Sequence, residues 1–144
     1  MKKFIFLFIF LLFVINSYSL TVLSVADYKD LIKRQNTKVI VLFWASYCPF
    51  CKKEIKNLSK NIAIFDKYKT KIILVSIDKR LEDALQSYKA LNVEFPLYLA
   101  SKDLIDHLNV RLVPITATYN KMGELIDIAP GYKTVDEILE MLED

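Results

Sequence analysis

Two cysteines, Cys48 and Cys51, are the only thiols in this chain of 144 residues. They enclose Pro49 and Phe50, and Trp44-Ala45-Ser46-Tyr47 leads into them. Two cysteines three residues apart on the first turn of a helix lie on one side, close enough to bond to each other. Pro49 suits that turn because it gives up an N–H that would have no partner there. Cys48 then stands at the helix start, where free amide N–H groups and the helix dipole stabilise an anion and lower the thiol pKa. Positions 51, 55, 58, 62 and 65 form one helical stripe, which puts Cys51 at the top of a buried face. One sulfur is presented and the other is tucked beneath it. Thiol–disulfide exchange needs that asymmetry: an attacking thiolate, then a second thiol that resolves the mixed disulfide.

Other uses of the pair are weaker. A purely structural disulfide would close a loop of four residues, worth about 2 kcal/mol in the chain-entropy model against nearly 5 for a 100-residue loop. It would also join residues that the helix already holds together. A metal site would need two further ligands beyond two thiolates, and His107 is the only histidine. His107 is read as an ordinary residue of a short helix. No metal and no cofactor is implied. Glu54, three residues after Cys51, is either a solvated carboxylate beside Lys52 and Lys53 or a group close enough to act on the thiols. Trp44 is read as a packing platform under the pair.

These residues need elements to hold them. Residues 39–43 are a continuous apolar run of strand length, as in a strand covered on both faces, and it feeds the helix that starts at Pro49. That helix is expected to continue through Phe65. Upstream, residues 26–34 form a short amphipathic helix with Tyr28, Leu31 and Ile32 on its apolar side. Residues 72–77 read as a second buried strand, and Leu81, Ala84, Leu85, Tyr88 and Leu91 as a further helix. Residues 95–99 are a strand that Pro96 confines to an edge or to a strand start. A short helix spans residues 102–108. Ile115, Ala117 and Tyr119 alternate with Thr116 and Thr118, the period of a strand. Residues 120–123 supply a turn and 125–128 the return strand of a hairpin. Val135, Ile138, Leu139 and Leu142 give a terminal helix. Alternating strands and helices predict an α/β fold, a parallel core with an antiparallel edge, flanked by helices.

Composition agrees with one packed domain: 53% of residues are hydrophobic, 12% aromatic and 26% charged. The apolar content excludes disorder, and two cysteines are too few for a disulfide scaffold. Basic and acidic residues are interspersed along the chain without the basic face of a nucleic-acid binder, so nucleic acid is not an expected partner. Residues 1–19 stand apart. Lys2 and Lys3 precede twelve uninterrupted apolar residues, 4–15, and then Ser17 and Ser19 ahead of Leu20. That is the order of a secretory signal peptide, and the run falls short of the ~20 residues of a membrane span. The expectation is a signal peptide at 1–19 and one domain at 20–144, exported to the periplasm or cell envelope. Without the leader the chain carries 18 basic and 17 acidic groups. Its two cysteines would meet an oxidising compartment.

The segment Phe43-Trp44-Ala45-Ser46-Tyr47-Cys48-Pro49-Phe50-Cys51-Lys52-Lys53-Glu54 resembles the active site of the thioredoxin superfamily, most closely its exported TlpA/ResA-like thiol–disulfide oxidoreductases. The resemblance covers nearly all of residues 38–132. It implies a thioredoxin-like fold with an extra helix and strand inserted within residues 78–99. It implies a cis-proline at Val113-Pro114 facing the cysteine pair, whose backbone would meet a substrate strand, and a glycine at Gly131. It favours a functional Glu54, able to raise thiol pKa values and relay protons to or from Cys51. The implied activity is reduction of protein disulfides by a monomer, with a membrane thiol donor restoring the dithiol and cytochrome c maturation as the typical role. An oxidase or isomerase of secreted proteins, or a copper chaperone or holdase, are the alternatives; the lack of a second histidine or a methionine cluster near Cys48 speaks against copper.

Three positions depart from the family pattern. Leu42 stands where plain thioredoxins bury an aspartate, and Glu54 would partly replace it. Ile115, not threonine, follows Pro114, with Thr116 one place later. Leu112 stands where many relatives have glycine. Between the cysteines, Pro-Phe differs from the Gly-Pro of thioredoxin and the Pro-His of DsbA, and Phe50 offers no donor or charge to a Cys48 thiolate. A thiol pKa of roughly 5 to 7, between the extremes of those two proteins, is expected.

Overall fold

The computed structural model describes residues 20–143; the expected signal peptide lies outside the described residues. At its centre is β2 (Lys38–Trp44), whose sequence KVIVLFW is buried from Val39 onward. It pairs in parallel with β3 (Thr70–Ser76) and antiparallel with β5 (Ile115–Tyr119). Because side chains of a strand alternate between faces, β2 feeds two cores at once. Val39, Val41 and Phe43 pack against α1 (Val25–Arg34) and α5 (Lys102–His107). Ile40, Leu42 and Trp44 pack with Ile55, Leu58, Phe65 and Ile138, which come from α2 (Pro49–Lys60), α3 (Ile62–Lys67) and α6 (Val135–Glu140). A buried strand with both faces covered is the reason the run reads as uninterrupted apolar sequence.

The full sheet has six strands in the order β1-β4-β3-β2-β5-β6, with β1 at Val22–Leu23, β4 at Leu97–Ala100 and β6 at Leu125–Pro130. The inserted helix α4 (Leu81–Leu91) and β4 lie between β3 and α5 in the chain, and β4 runs parallel to β3. Pro96 sits just ahead of β4, where its carbonyl accepts the Leu74 N–H at 2.9 Å. The chain thus has the expected α/β fold, with a mixed six-stranded sheet flanked by helices.

Three features differ from the expectations or add to them. The helix after the cysteines is not continuous to Phe65. Asn61, at φ −111° and ψ 20°, ends α2 and its side-chain amide donates to the Asn57 carbonyl at 2.8 Å, a local bond that competes with the helical ladder. Ile62, expected on the buried stripe, is exposed, while Phe65 is buried. The alternation in β5 left open which faces are covered, and all five residues are buried, because α2 and α6 cover the threonine side. The third change is β1, a two-residue strand pairing with β4 that no pattern announced.

Candidate active site

Helix α2 begins where β2 ends, at one edge of the apolar layer below it. Its N-cap is Cys48 itself, in extended conformation with Pro49 behind it, so the sulfur takes the position that a serine or aspartate oxygen takes in most helix caps. Cys48 Sγ accepts the Cys51 backbone N–H at 3.1 Å. The two cysteines are joined as a disulfide, with Cα atoms 5.3 Å apart. Cys51 is fully buried and Cys48 is 7% exposed, so the sulfur a partner can reach is that of Cys48. The Cys51 N–H and the N-terminal end of the helix dipole face that sulfur, a setting that favours a thiolate once the disulfide opens.

The Val113–Pro114 peptide bond is cis. The Val113 carbonyl oxygen lies 3.6 Å from Cys48 Sγ. Beyond it, the Pro114 carbonyl accepts the Gly131 N–H at 2.9 Å, and Gly131 has φ +85°, a left-handed conformation that glycine adopts freely. The cis-proline loop and the turn after β6 are therefore tied into one support beside the disulfide. Trp44 is fully buried in the same cluster as Cys48 and Cys51, and its indole Nε1 has no hydrogen-bond partner among the described residues.

Glu54 is fully buried, which rules out the solvated reading. Its carboxylate accepts the Thr116 hydroxyl at 2.7 Å and the Lys133 backbone N–H at 3.1 Å. Burial raises its pKa above the ordinary glutamate value. The Thr116 hydroxyl, the Lys133 N–H and the Lys133 charge pull it down, and the Glu137 charge pushes it up. The Lys133 ammonium does not pair with it directly, since Nζ donates to the Pro130 and Gly131 carbonyls. Thr116 is the register partner of Leu42 across β2 and β5. The helix thus brings a buried carboxylate over the strand pair at the level where Leu42 leaves none.

A second buried carboxylate escaped the sequence. Asp78, in the loop after β3, accepts the Ser46 N–H at 3.0 and 3.2 Å, the Ser46 hydroxyl at 2.6 Å and the Ser76 hydroxyl at 2.6 Å. Its own N–H donates back to Ser76 Oγ at 3.0 Å. Ser46 is two residues before Cys48, so Asp78 clamps the turn that delivers the cysteine. The Ile77 N–H to the Trp44 carbonyl, 2.9 Å, fastens the same turn to β3. The only signal for this cluster was a serine–aspartate pair closing an apolar strand. On the open side, Tyr47, Phe50 and Leu112 are 72, 62 and 76% exposed around a sulfur that is nearly covered. Tyr132 stands beside Phe50 with ring centroids 6.5 Å apart, and the Lys53 ammonium lies 4.7 Å above its ring.

A family profile described as a thioredoxin-like domain matches residues 26–144. The sporulation thiol-disulfide oxidoreductase A of Bacillus subtilis is 26% identical over 117 residues, which cover 78% of this chain and 71% of that one. The thiol-disulfide oxidoreductase ResA of Halalkalibacterium halodurans is 25% identical over 109 residues, 73% of this chain and 62% of its own length, so the chain spans less than two thirds of that relative. Among solved structures, StoA from Bacillus subtilis superposes with a TM-score of 0.64 at 26% identity, covering 75% of this chain and 84% of that one.

Proposed function

The chain belongs to the thioredoxin-like family and is a thiol–disulfide oxidoreductase, and on that premise we propose that it is an exported, monomeric reductant of protein disulfides. The observation that carries the division of labour is the unequal exposure of the two cysteine residues, 7% for Cys48 and none for Cys51, with Cys48 capping the helix. The Cys48 thiolate attacks one sulfur of a substrate disulfide. A mixed disulfide forms, and the other substrate sulfur leaves as a thiolate that takes up a proton. The Cys51 thiolate then attacks Cys48 Sγ and expels the second substrate sulfur. Two electrons and two protons pass to the substrate, and Cys48–Cys51 is left oxidised. A membrane thiol donor returns the pair to the dithiol. Buried Glu54, one helical turn below Cys51, takes the proton that Cys51 must lose, and the Val113 backbone beside Cys48 meets the substrate chain by main-chain pairing.

Export rests on the order of Lys2, Lys3, the apolar run 4–15 and Ser17 and Ser19. Among the described residues no helix is long and apolar enough to cross a membrane. Cytochrome c maturation, with apocytochrome or its thiol carriers as substrate, is the role we assign by resemblance to the ResA-like branch. The direction of electron flow is tested by the reduction potential of the Cys48–Cys51 couple in glutathione or dithiothreitol buffers. Phe50 gives the Cys48 thiolate no donor, so the expected value is nearer that of thioredoxin than that of DsbA, below about −200 mV. A value near −120 mV overturns the reductant reading in favour of an oxidase.

A further inference from the structure

Helix α2 carries Lys52, Lys53, Lys56 and Lys60, and its one acidic residue, Glu54, is buried and turned toward β5. Lys53, Lys56 and Lys60 are exposed and Lys52 is half-buried. None of the four has an ion-pair partner among the described residues. Like charges at i,i+4, as at 52/56 and 56/60, destabilise an isolated helix by a few tenths of a kcal/mol per pair. The helix tolerates that repulsion on the element that bears the dithiol. The stripe also starts at the disulfide, because Lys53 lies over the Tyr132 ring, Tyr132 stands against Phe50, and Phe50 sits between the cysteines. Asn57 holds Tyr132 in place by donating to its hydroxyl at 2.7 Å. The Lys53 ammonium is thus partly ordered before any partner arrives.

Resting on the oxidoreductase reading above, we propose that α2 and the exposed Tyr47, Phe50 and Leu112 form one docking surface for a protein substrate whose reactive cysteine has apolar neighbours and an acidic segment on one side. The apolar collar receives the residues flanking the cysteine, and the lysine stripe receives the carboxylates. Length sets the register. From Cys48 to Lys60 the helix rises about 18 Å at 1.5 Å per residue, which an extended chain spans in about six residues. The carboxylates therefore lie within about six residues of the substrate cysteine, on one side of it. An anionic lipid surface is the competing use of such a stripe. Continuity of the stripe with the disulfide, through Lys53, Tyr132 and Phe50, favours the protein substrate.

The test uses the reduced full-length protein and two synthetic peptides, each with one cysteine as a mixed disulfide with 2-mercaptoethanol. They are identical except for three glutamates or three lysines within six residues of the cysteine. Exchange with the glutamate peptide is expected to be at least about 10-fold faster at ~20 mM salt, with the gap closing to under about 3-fold at ~0.5 M as screening shortens the range of the charges. The triple variant Lys53→Glu/Lys56→Glu/Lys60→Glu is expected to invert the preference. Equal rates at low salt, or a preference that survives the triple variant, overturn the proposal. So does salt-sensitive binding to phosphatidylglycerol vesicles that is lost in the triple variant while the peptides react equally, which assigns the stripe to a membrane. Wild-type exchange with 2-hydroxyethyl disulfide separates the two levels: failure there defeats the oxidoreductase reading, whereas exchange without peptide preference defeats only the docking surface.

Discussion

Two buried carboxylates support the segment that carries the disulfide, Glu54 from within it and Asp78 through Ser46, and the protein treats them differently. Asp78 is saturated: one backbone N–H and two hydroxyls converge on it at 2.6 to 3.2 Å, and all come from the turn before Cys48 or the strand end beside it. Glu54 has one hydroxyl and one backbone N–H, no direct ammonium, and a pKa raised by burial. A carboxylate satisfied on both oxygens by donors of its own neighbourhood serves as a structural clamp. A carboxylate buried with fewer donors has its neutral form favoured, so it can hold a proton that a saturated one would lose. The difference separates two tasks, shape for Asp78 and, in the function proposed above, proton traffic for Glu54.

Substitutions that break this contrast should differ in kind as well as size. Asp78→Ala strands the Ser46 N–H and two hydroxyls in a buried site, which costs about 1–3 kcal/mol for a group left unsatisfied. Denaturant unfolding should show that loss, and the exchange rate should fall because the Cys48 turn is released. Glu54→Gln keeps shape and removes charge, so its main effect belongs to the thiols. Their titration, followed by thiolate absorbance or alkylation rate, should move to lower pH, one unit corresponding to about 1.4 kcal/mol. Superimposed titration curves for wild type and Glu54→Gln would remove Glu54 from the chemistry.

Stability against pH gives a second reading of Glu54. Its folded pKa is raised above the unfolded value of about 4.3, so the folded state holds the proton more tightly. Its contribution is fully present below that value and is lost as pH rises through the folded pKa. Wild type should therefore lose stability relative to Glu54→Gln over that window and run parallel to it above. The smallest effect is expected from Thr116→Val. Loss of one hydroxyl should cost about 0.5–1.5 kcal/mol and push the Glu54 pKa further up, because that hydroxyl is the largest influence holding it down. An unchanged pH–stability window in Thr116→Val would mean that the bond to Glu54 carries no weight.

The contrast also marks how far the sequence could be read. The central strand, the dithiol and the hairpin were legible because each rests on a local signal: an unbroken apolar run, a Cys-Pro-Phe-Cys at a helix start, an Asn–Gly turn between alternating segments. Glu54 was half legible, since helical spacing put it one turn below Cys51 but burial depends on what α6 and β5 lay over it. The burial of Thr116 was not legible, because the period of two gives alternation and not which side is covered. Asp78 left no periodic trace, as a carboxylate gathering donors from positions 46 and 76 is a long-range arrangement. Asn61 and β1 show the same limit at short range: one residue's side-chain bond ends a helix, and a strand of two residues is too short to carry a pattern.

The account's central claim is that Cys48 attacks and Cys51 resolves. Trapping of a disulfide-containing protein substrate by the two single variants, read on non-reducing gels and by mass spectrometry of the joined peptides, tests it most directly. Cys51→Ser should accumulate a mixed disulfide through Cys48, because the attacking sulfur remains and the resolving one is gone. Cys48→Ser should accumulate none, because Cys51 is fully buried. Equal trapping by both variants, or trapping through Cys51 alone, would contradict the account.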